Sequence, residues 1–318
     1  MKTPQPFRTQ SLNVSTHPPH RLHIEHYGNP KGMPVLCVHG GPGGESNCEK
    51  VLKMGVFDLQ CHHIVFFDQR GCGKSTPFVE CEKNTPMHTV HDMERIRKHL
   101  RWPQMVLFGG SYGTSLILLY TIRFTQRVLG YVMWSVYMMG DVISPALQKA
   151  HPILWKRLQR TTKQTTLKGI AKTVSHNIRT CHKSRKQCVR DWCALENSGL
   201  PPSVVNKATA KQQLSTALME AHYEANDFFL PTTFHLLDEC KTIRGVKGLI
   251  VHGDHDMICP LKQCRALHNV LDKSDVRFVV VKGGGHSARQ RVMCGVLQRE
   301  VPIFLSGLGF TELSWMDG

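Results

Sequence analysis

Gly109-Gly110-Ser111-Tyr112-Gly113 follows the apolar run Met105-Val106-Leu107-Phe108 and precedes a helix-like stretch from Ser115 to Arg123. The five residues fit G-x-S-x-G, and the flanking pattern sets the serine at a strand-to-helix turn, the context a nucleophile elbow requires. Such a turn is strained and crowded, so glycine is needed where a side chain would collide with the neighbouring strand or helix. Ser111 is therefore the candidate nucleophile.

Outward from that turn the chain alternates short apolar runs with longer amphipathic ones, the pattern of strands and helices in a mostly parallel sheet. The expected strands are Arg21 to His26, Pro34 to His39, His63 to Asp68, Gln104 to Phe108, Leu129 to Ser135, Leu249 to His252 and Arg277 to Val281. Several are rich in Val, Ile and Phe, as strands buried on both faces should be. The rhythm breaks between about Asp141 and Cys240, which reads as amphipathic helices with a turn at Gly199-Leu200-Pro201-Pro202. An insertion there implies a lid over the carboxyl ends of the strands, where ligands bind in open α/β sheets. The expected organisation is a core in two parts, residues 1–140 and 241–318, with a helical cap at 141–240.

A serine hydroxyl is a weak nucleophile at neutral pH and needs a histidine to take its proton and an acid to orient that histidine. In chain order this fold expects serine, acid, histidine. After Ser111, one strand ends in Gly253-Asp254-His255-Asp256 and another in Gly283-Gly284-Gly285-His286-Ser287. His286 stands out among nineteen histidines because a glycine-rich turn after a strand presents it. The acid is Asp254 or Asp256, the other being a turn former.

The turn after Pro34 to His39 reads His39-Gly40-Gly41-Pro42-Gly43-Gly44. Glycines there let backbone N–H groups approach a developing oxyanion, with Gly41 and Tyr112 as the two donors. A phosphate loop is the rival reading, but the G-x-G-x-x-G spacing and the P-loop lysine are both missing. Asp68-Gln69-Arg70-Gly71-Cys72-Gly73-Lys74-Ser75 ends in Gly-Lys-Ser yet fails the full Walker pattern, since Asp68 occupies the position of the first glycine. Asp68 and Arg70 are expected to pair or cap rather than catalyse.

Composition bounds the rest. The 318 residues can bury a sizeable core, and 41% hydrophobic with 20% charged residues is ordinary for a globular protein. The start of the chain lacks the apolar core of a secretory signal, and the longest apolar stretch, near Val128 to Met139, is too short to span a bilayer. A soluble, cytoplasmic protein is expected. The twelve cysteines lack a C-x-x-C pair; the x4 pairs Cys188 with Cys193 and Cys259 with Cys264 read as structural, without disulfides or zinc. Of the net charge of +16, most comes from residues 141–218, with 14 Lys or Arg against three acids. These cations are dispersed and read as a solvated helical face, so neither nucleic acid nor membrane is an expected partner.

With these motifs in place, the chain resembles the prolyl iminopeptidases, serine aminopeptidases of the α/β-hydrolase superfamily. The matching segments are His39 to Gly44, Asp68 to Ser75, Gly109 to Gly113 and Gly284 to Ser287, with further likeness at His151 to Trp155, Trp192 to Glu196 and Glu220-Ala221-His222-Tyr223. The resemblance implies an α/β-hydrolase fold with a helical cap and removal of N-terminal proline from peptides, without metal or organic cofactor. The family's G-R-Y-D pattern implies Asp256 as the triad acid beside Ser111 and His286. Its E-x-H-Y match implies Glu220 as the anion for the substrate ammonium, and Tyr137 stands where the family has an aromatic suited to the pyrrolidine ring. Tyr112 replaces a usual tryptophan, Trp134 a usual arginine, and Asp254-His255 a usual Arg-Tyr. Rival functions are an esterase or amidase with another acyl specificity, and a non-catalytic binding protein using its basic cap.

Overall fold

The computed structural model describes residues 4–140, 151–196 and 208–310. Its centre is an eight-stranded sheet in the order β1-β2-β4-β3-β5-β6-β7-β8. The strands are β1 Arg8–Thr16, β2 Pro19–Gly28, β3 Met33–Val38, β4 His62–Phe67, β5 Met105–Ser111, β6 Val128–Val136, β7 Gly248–Gly253 and β8 Val276–Val281. The pairs β1–β2 and β2–β4 are antiparallel, and all later pairs are parallel.

Every residue of β3, β4 and β7 is buried, as the continuous apolar runs require of strands covered on both faces. Side chains alternate between faces with period two. Leu36 and Val38 accordingly enter one core and Val35 and Cys37 the other. The first core includes α2 (Pro86–His99), α3 (Tyr112–Arg123), α8 (Leu236–Glu239) and α9 (Leu261–Val270); the second includes α1 (Cys48–Lys53) and α10 (Arg291–Ser306). In α3, Leu116, Ile117, Leu118 and Leu119 are all buried, marking a helix enclosed on every side.

The seven expected strands are present, and β1 is additional. Its sequence, RTQSLNVST, carries only two apolar residues, Leu12 and Val14. As an edge strand it leaves much of its length to solvent, so period and hydrophobicity do not announce it.

Helices α4 (Pro152–Thr162), α5 (Leu167–Thr180), α6 (His182–Glu196) and α7 (Ala210–Glu224) surround a further apolar cluster, including Trp155, Ile170, Val174, Trp192 and Leu218, which Cys72 and Cys81 join from the loop after β4. Thr166 caps α5 by accepting the Gly169 N–H at 3.1 Å, and Thr209 forms a capping box with Gln212 at the start of α7. The turn expected at Gly199 to Pro202 lies outside the described residues. Helix α7 touches the loops above the sheet. Its Tyr223 hydroxyl donates to Asn84 Oδ1 at 2.9 Å, and its Lys211 ammonium donates to the Gly73 carbonyl at 2.9 Å. No helix among the described residues is long and apolar enough to cross a membrane.

Candidate active site

Ser111 closes β5 and α3 begins at the next residue, three residues earlier than the sequence pattern suggested. Its φ of 55° lies in the left-handed region, which costs a non-glycine residue energy and aims its side chain away from the regular path of the strand. The glycines around it are required by packing. A Cβ on Gly109 or Gly113 would stand 2.6 or 2.5 Å from the Val38 carbonyl oxygen, and one on Gly110 would enter the Trp134 ring. Trp134 therefore covers the elbow from β6, with its ring centroid 4.9 Å from that of Phe108.

His286 and Asp256 meet at the ends of β8 and β7. The imidazole Nδ1 lies 3.0 and 3.1 Å from the two oxygens of Asp256, whose side chain is 0% exposed against 15% for His286. Asp256 Oδ1 also accepts the N–H groups of Ile258, at 3.0 Å, and Cys259, at 2.8 Å. Burial works against the Asp256 carboxylate, but the hydrogen bond and charge interaction with His286 and the Cys259 N–H hold its pKa below the usual value. The Ser135 hydroxyl donates to the His286 carbonyl at 2.8 Å. Its neighbour Val136 pairs with Ser111 between β5 and β6, so the histidine loop is pinned one residue from the serine's own strand partner. Among the described residues Ser111 Oγ forms no hydrogen bond with His286. Without substrate such contacts are often long, and they tighten in the complex.

Asp254 serves a different purpose, its Oδ1 accepting the Gly283 N–H at 2.7 Å. Together with the His255 N–H, which donates to the Gly284 carbonyl at 2.8 Å, it fastens the Asp256 loop to the His286 loop. A Cβ on Gly253 would lie 2.2 Å from that same carbonyl oxygen, so the two loops approach each other as backbone.

Gly40 packs on the elbow: its Cβ, were there one, would lie 3.2 Å from Ser111 Cβ and 3.8 Å from Oγ. Gly41, next along, has φ 132° and stacks on the N–H groups of Gly43 and Gly44 too closely for any side chain. Tyr112 occupies the first position of α3, where backbone N–H groups lack intrahelical acceptors. The loop after β4 braces this arrangement. Gln69 donates its amide to the His39 carbonyl at 2.8 Å and its backbone N–H to His39 Nε2 at 3.0 Å. Asp68 accepts the N–H groups of Ser46 and Lys74, each at 2.8 Å, while Arg70 makes a buried bidentate pair with Asp92 at 2.6 and 2.8 Å.

Tyr137 is half-buried beside Tyr112 and Phe228, at centroid distances of 6.5 and 6.1 Å, and Tyr223 meets Tyr112 edge-on at 5.9 Å. Tyr223 and Phe228 complete an aromatic wall that sequence reasoning did not foresee. Glu220, on α7, accepts the indole N–H of Trp192 at 3.0 Å, another partner no pattern announced. Donor atoms of Asp256, Cys259 and His286 lie within 4.8 Å of one another. The Asp256 carboxylate of this set is engaged by His286 and two backbone N–H groups.

Comparison with known proteins bears on this geometry. A family model described as alpha/beta hydrolase fold matches residues 33–288. The chain is 31% identical over 298 residues to a proline iminopeptidase of Arabidopsis thaliana, covering 90% of this chain and 77% of that protein. It is 28% identical to a proline iminopeptidase of Neisseria gonorrhoeae over 96% of this chain and 98% of the relative. Among solved structures it resembles an esterase from Rhodococcus sp. ECU1013 with a TM-score of 0.64 at 18% identity, over 95% of this chain and 99% of that one. A thermophilic esterase from Thermogutta terrifontis gives 0.62 at 19%, over 95% and 100%. At such identity the two esterases speak to the fold alone.

Proposed function

Because the chain belongs to the α/β hydrolases and, within them, to the proline iminopeptidase family, we propose that it is a serine aminopeptidase releasing N-terminal proline from peptides through an acyl-enzyme. The observation that carries this reading is the pairing of His286 with the buried Asp256, on a loop held by Ser135 one residue from the strand partner of a serine at positive φ.

In this mechanism Ser111 attacks the scissile carbonyl and Nε2 of His286 takes its proton, while Asp256 holds Nδ1–H and steadies the imidazolium. The same imidazole then protonates the leaving amine, and water, activated in turn, releases proline. The N–H groups of Gly41 and Tyr112 stabilise the oxyanion, each such donor being worth about a hundred- to a thousandfold in rate. Glu220 holds the substrate ammonium, because a cation in a closed pocket needs an anion beside it. Tyr137, with its aromatic neighbours, packs against the pyrrolidine ring.

Residues 141–240 act as the cap over this site, and 1–140 with 241–318 form the catalytic core. The apolar cluster that α4 to α7 surround, joined from the core by Cys72 and Cys81, supports that division. A cytoplasmic location is part of the proposal; all twelve cysteines are free, as a reducing compartment favours.

The test is a panel of aminoacyl arylamides beside a simple aryl ester, on wild type and Ser111→Ala. Cleavage of the proline arylamide above the others, lost in the variant, is the expected result. Cleavage of the ester alone, dependent on Ser111, would replace the aminopeptidase by an esterase.

A further inference from the structure

Between the oxyanion loop and the first turns of α7 lies a cleft of about 250 Å³. Gly43 and Gly44 line one side, Lys211, Gln212 and Thr216 another, and Arg289 reaches it from the segment that follows His286. The cleft lies one backbone layer from Ser111. Gly40 touches Ser111, as shown above, and a Cβ on Gly44 would lie 2.4 Å from the Gly40 carbonyl oxygen, so Gly40 is the layer between the serine and a lining residue.

Its charge is one-sided. Lys50, Lys211 and Arg289 line it against a single acid, Glu45, which accepts a hydrogen bond from the Gln212 side chain. Lys211 spends one donor on the Gly73 carbonyl and stands 4.7 Å over the Phe78 ring, which fixes where its charge sits. The Arg289 guanidinium makes no hydrogen bond or ion pair among the described residues. Cations gathered around a concave wall concentrate anions there, and an arginine fork matches a carboxylate.

The departing peptide receives its proton from His286 and so leaves alongside the loop that carries Arg289. An extended residue spans about 3.5 Å, so a leaving group of one or two residues sets its C-terminal carboxylate within about 7 Å of the scissile nitrogen. We propose that this cleft is the leaving-group subsite, in which Arg289 and Lys211 bind the C-terminal carboxylate of a di- or tripeptide substrate. The inference rests on the aminopeptidase reading and adds selection by the far end of the peptide.

The experiment compares kcat/KM for Pro-Gly-Gly, its C-terminal amide and proline arylamide. Wild type is expected to favour the free acid over the amide by about tenfold, mainly through KM, as charge-assisted hydrogen bonds to a carboxylate allow. The Arg289→Gln, Lys211→Gln double variant brings that ratio close to one. Added salt narrows the ratio in wild type as well, a readout that does not depend on the variant folding. Equal cleavage of acid and amide by wild type, a preference indifferent to salt, or a folded double variant that keeps the preference would each overturn the subsite while leaving arylamide cleavage, and the aminopeptidase, standing. Failure of wild type on all three substrates would overturn both.

Discussion

The backbone N–H of Val136 donates to Nδ1 of His252 at 3.1 Å, and Nε2 of the same ring donates to the Cys259 carbonyl at 2.8 Å. Val136 is the strand partner of Ser111, and the Cys259 N–H binds Asp256, so one fully buried imidazole ties the strand beside Ser111 to the loop of Asp256. The ring must be neutral to accept from Val136, and burial holds its pKa below the usual histidine value. His252→Phe strands a buried N–H and a buried carbonyl, at about 1–3 kcal/mol each. Thermal melting should report that loss, and steady-state kinetics a fall in kcat with KM nearly unchanged. A destabilised variant with normal kcat would limit His252 to the fold.

Glu220→Gln keeps an acceptor for the Trp192 indole and removes the negative charge. The KM for proline arylamide should rise about tenfold or more, while an amine-blocked or ester substrate is spared. Equal losses on both kinds of substrate would show that the carboxylate only supports the helices.

Arg70 and Asp92 are each 1% exposed in their side chains. Asp92→Ala leaves the guanidinium buried without its counter-ion and is expected to cost about 3–5 kcal/mol, read from urea unfolding. A loss under about 1 kcal/mol, the scale of an exposed pair, would contradict the burial of this ion pair.

His26 and His63 share a hydrogen bond of 3.0 Å beneath Phe7, with Trp102 edge-on to His63. Burial is the main cause that lowers both to about 4, with His63, Arg8 and His99 adding to it at His26, and Arg8 adding to it at His63 against a raising hydrogen bond to the Pro30 backbone. Unfolded, these rings titrate at about 6.5, so between about pH 6.5 and about 4 the unfolded chain binds more protons and stability falls as pH falls. The contribution is whole above that window and lost at its lower end. Unfolding free energies measured across the window should show this slope, and it should be shallower in His63→Phe. An unaltered slope would place the titrating groups elsewhere.

What the sequence disclosed depended on how local each signal was. The elbow at Ser111 and the loop presenting His286 are short motifs whose glycines have visible steric reasons, Gly109 and Gly113 against Val38 above all. The buried strands announced themselves by continuous apolar runs, whereas β1, polar and at the sheet edge, did not. The residue pattern alone leaves Asp254 and Asp256 open and the family resemblance points to Asp256; both follow the same strand, and their distant partners, Gly283 and His286, separate their tasks in the fold. His252, one histidine of nineteen, carries no local mark, and the partnership of Trp192 with Glu220 joins helices 28 residues apart in sequence.

The most direct measurement is labelling with a fluorophosphonate, which reacts with activated serines, followed by peptide mass spectrometry and residual proline arylamide hydrolysis. One adduct is expected, on Ser111, with activity falling in step with labelling, and His286→Ala should abolish the reaction. Activity that survives complete labelling, or an adduct on a different serine that alone tracks inactivation, would contradict the convergence of Ser111, His286 and Asp256 on one reaction.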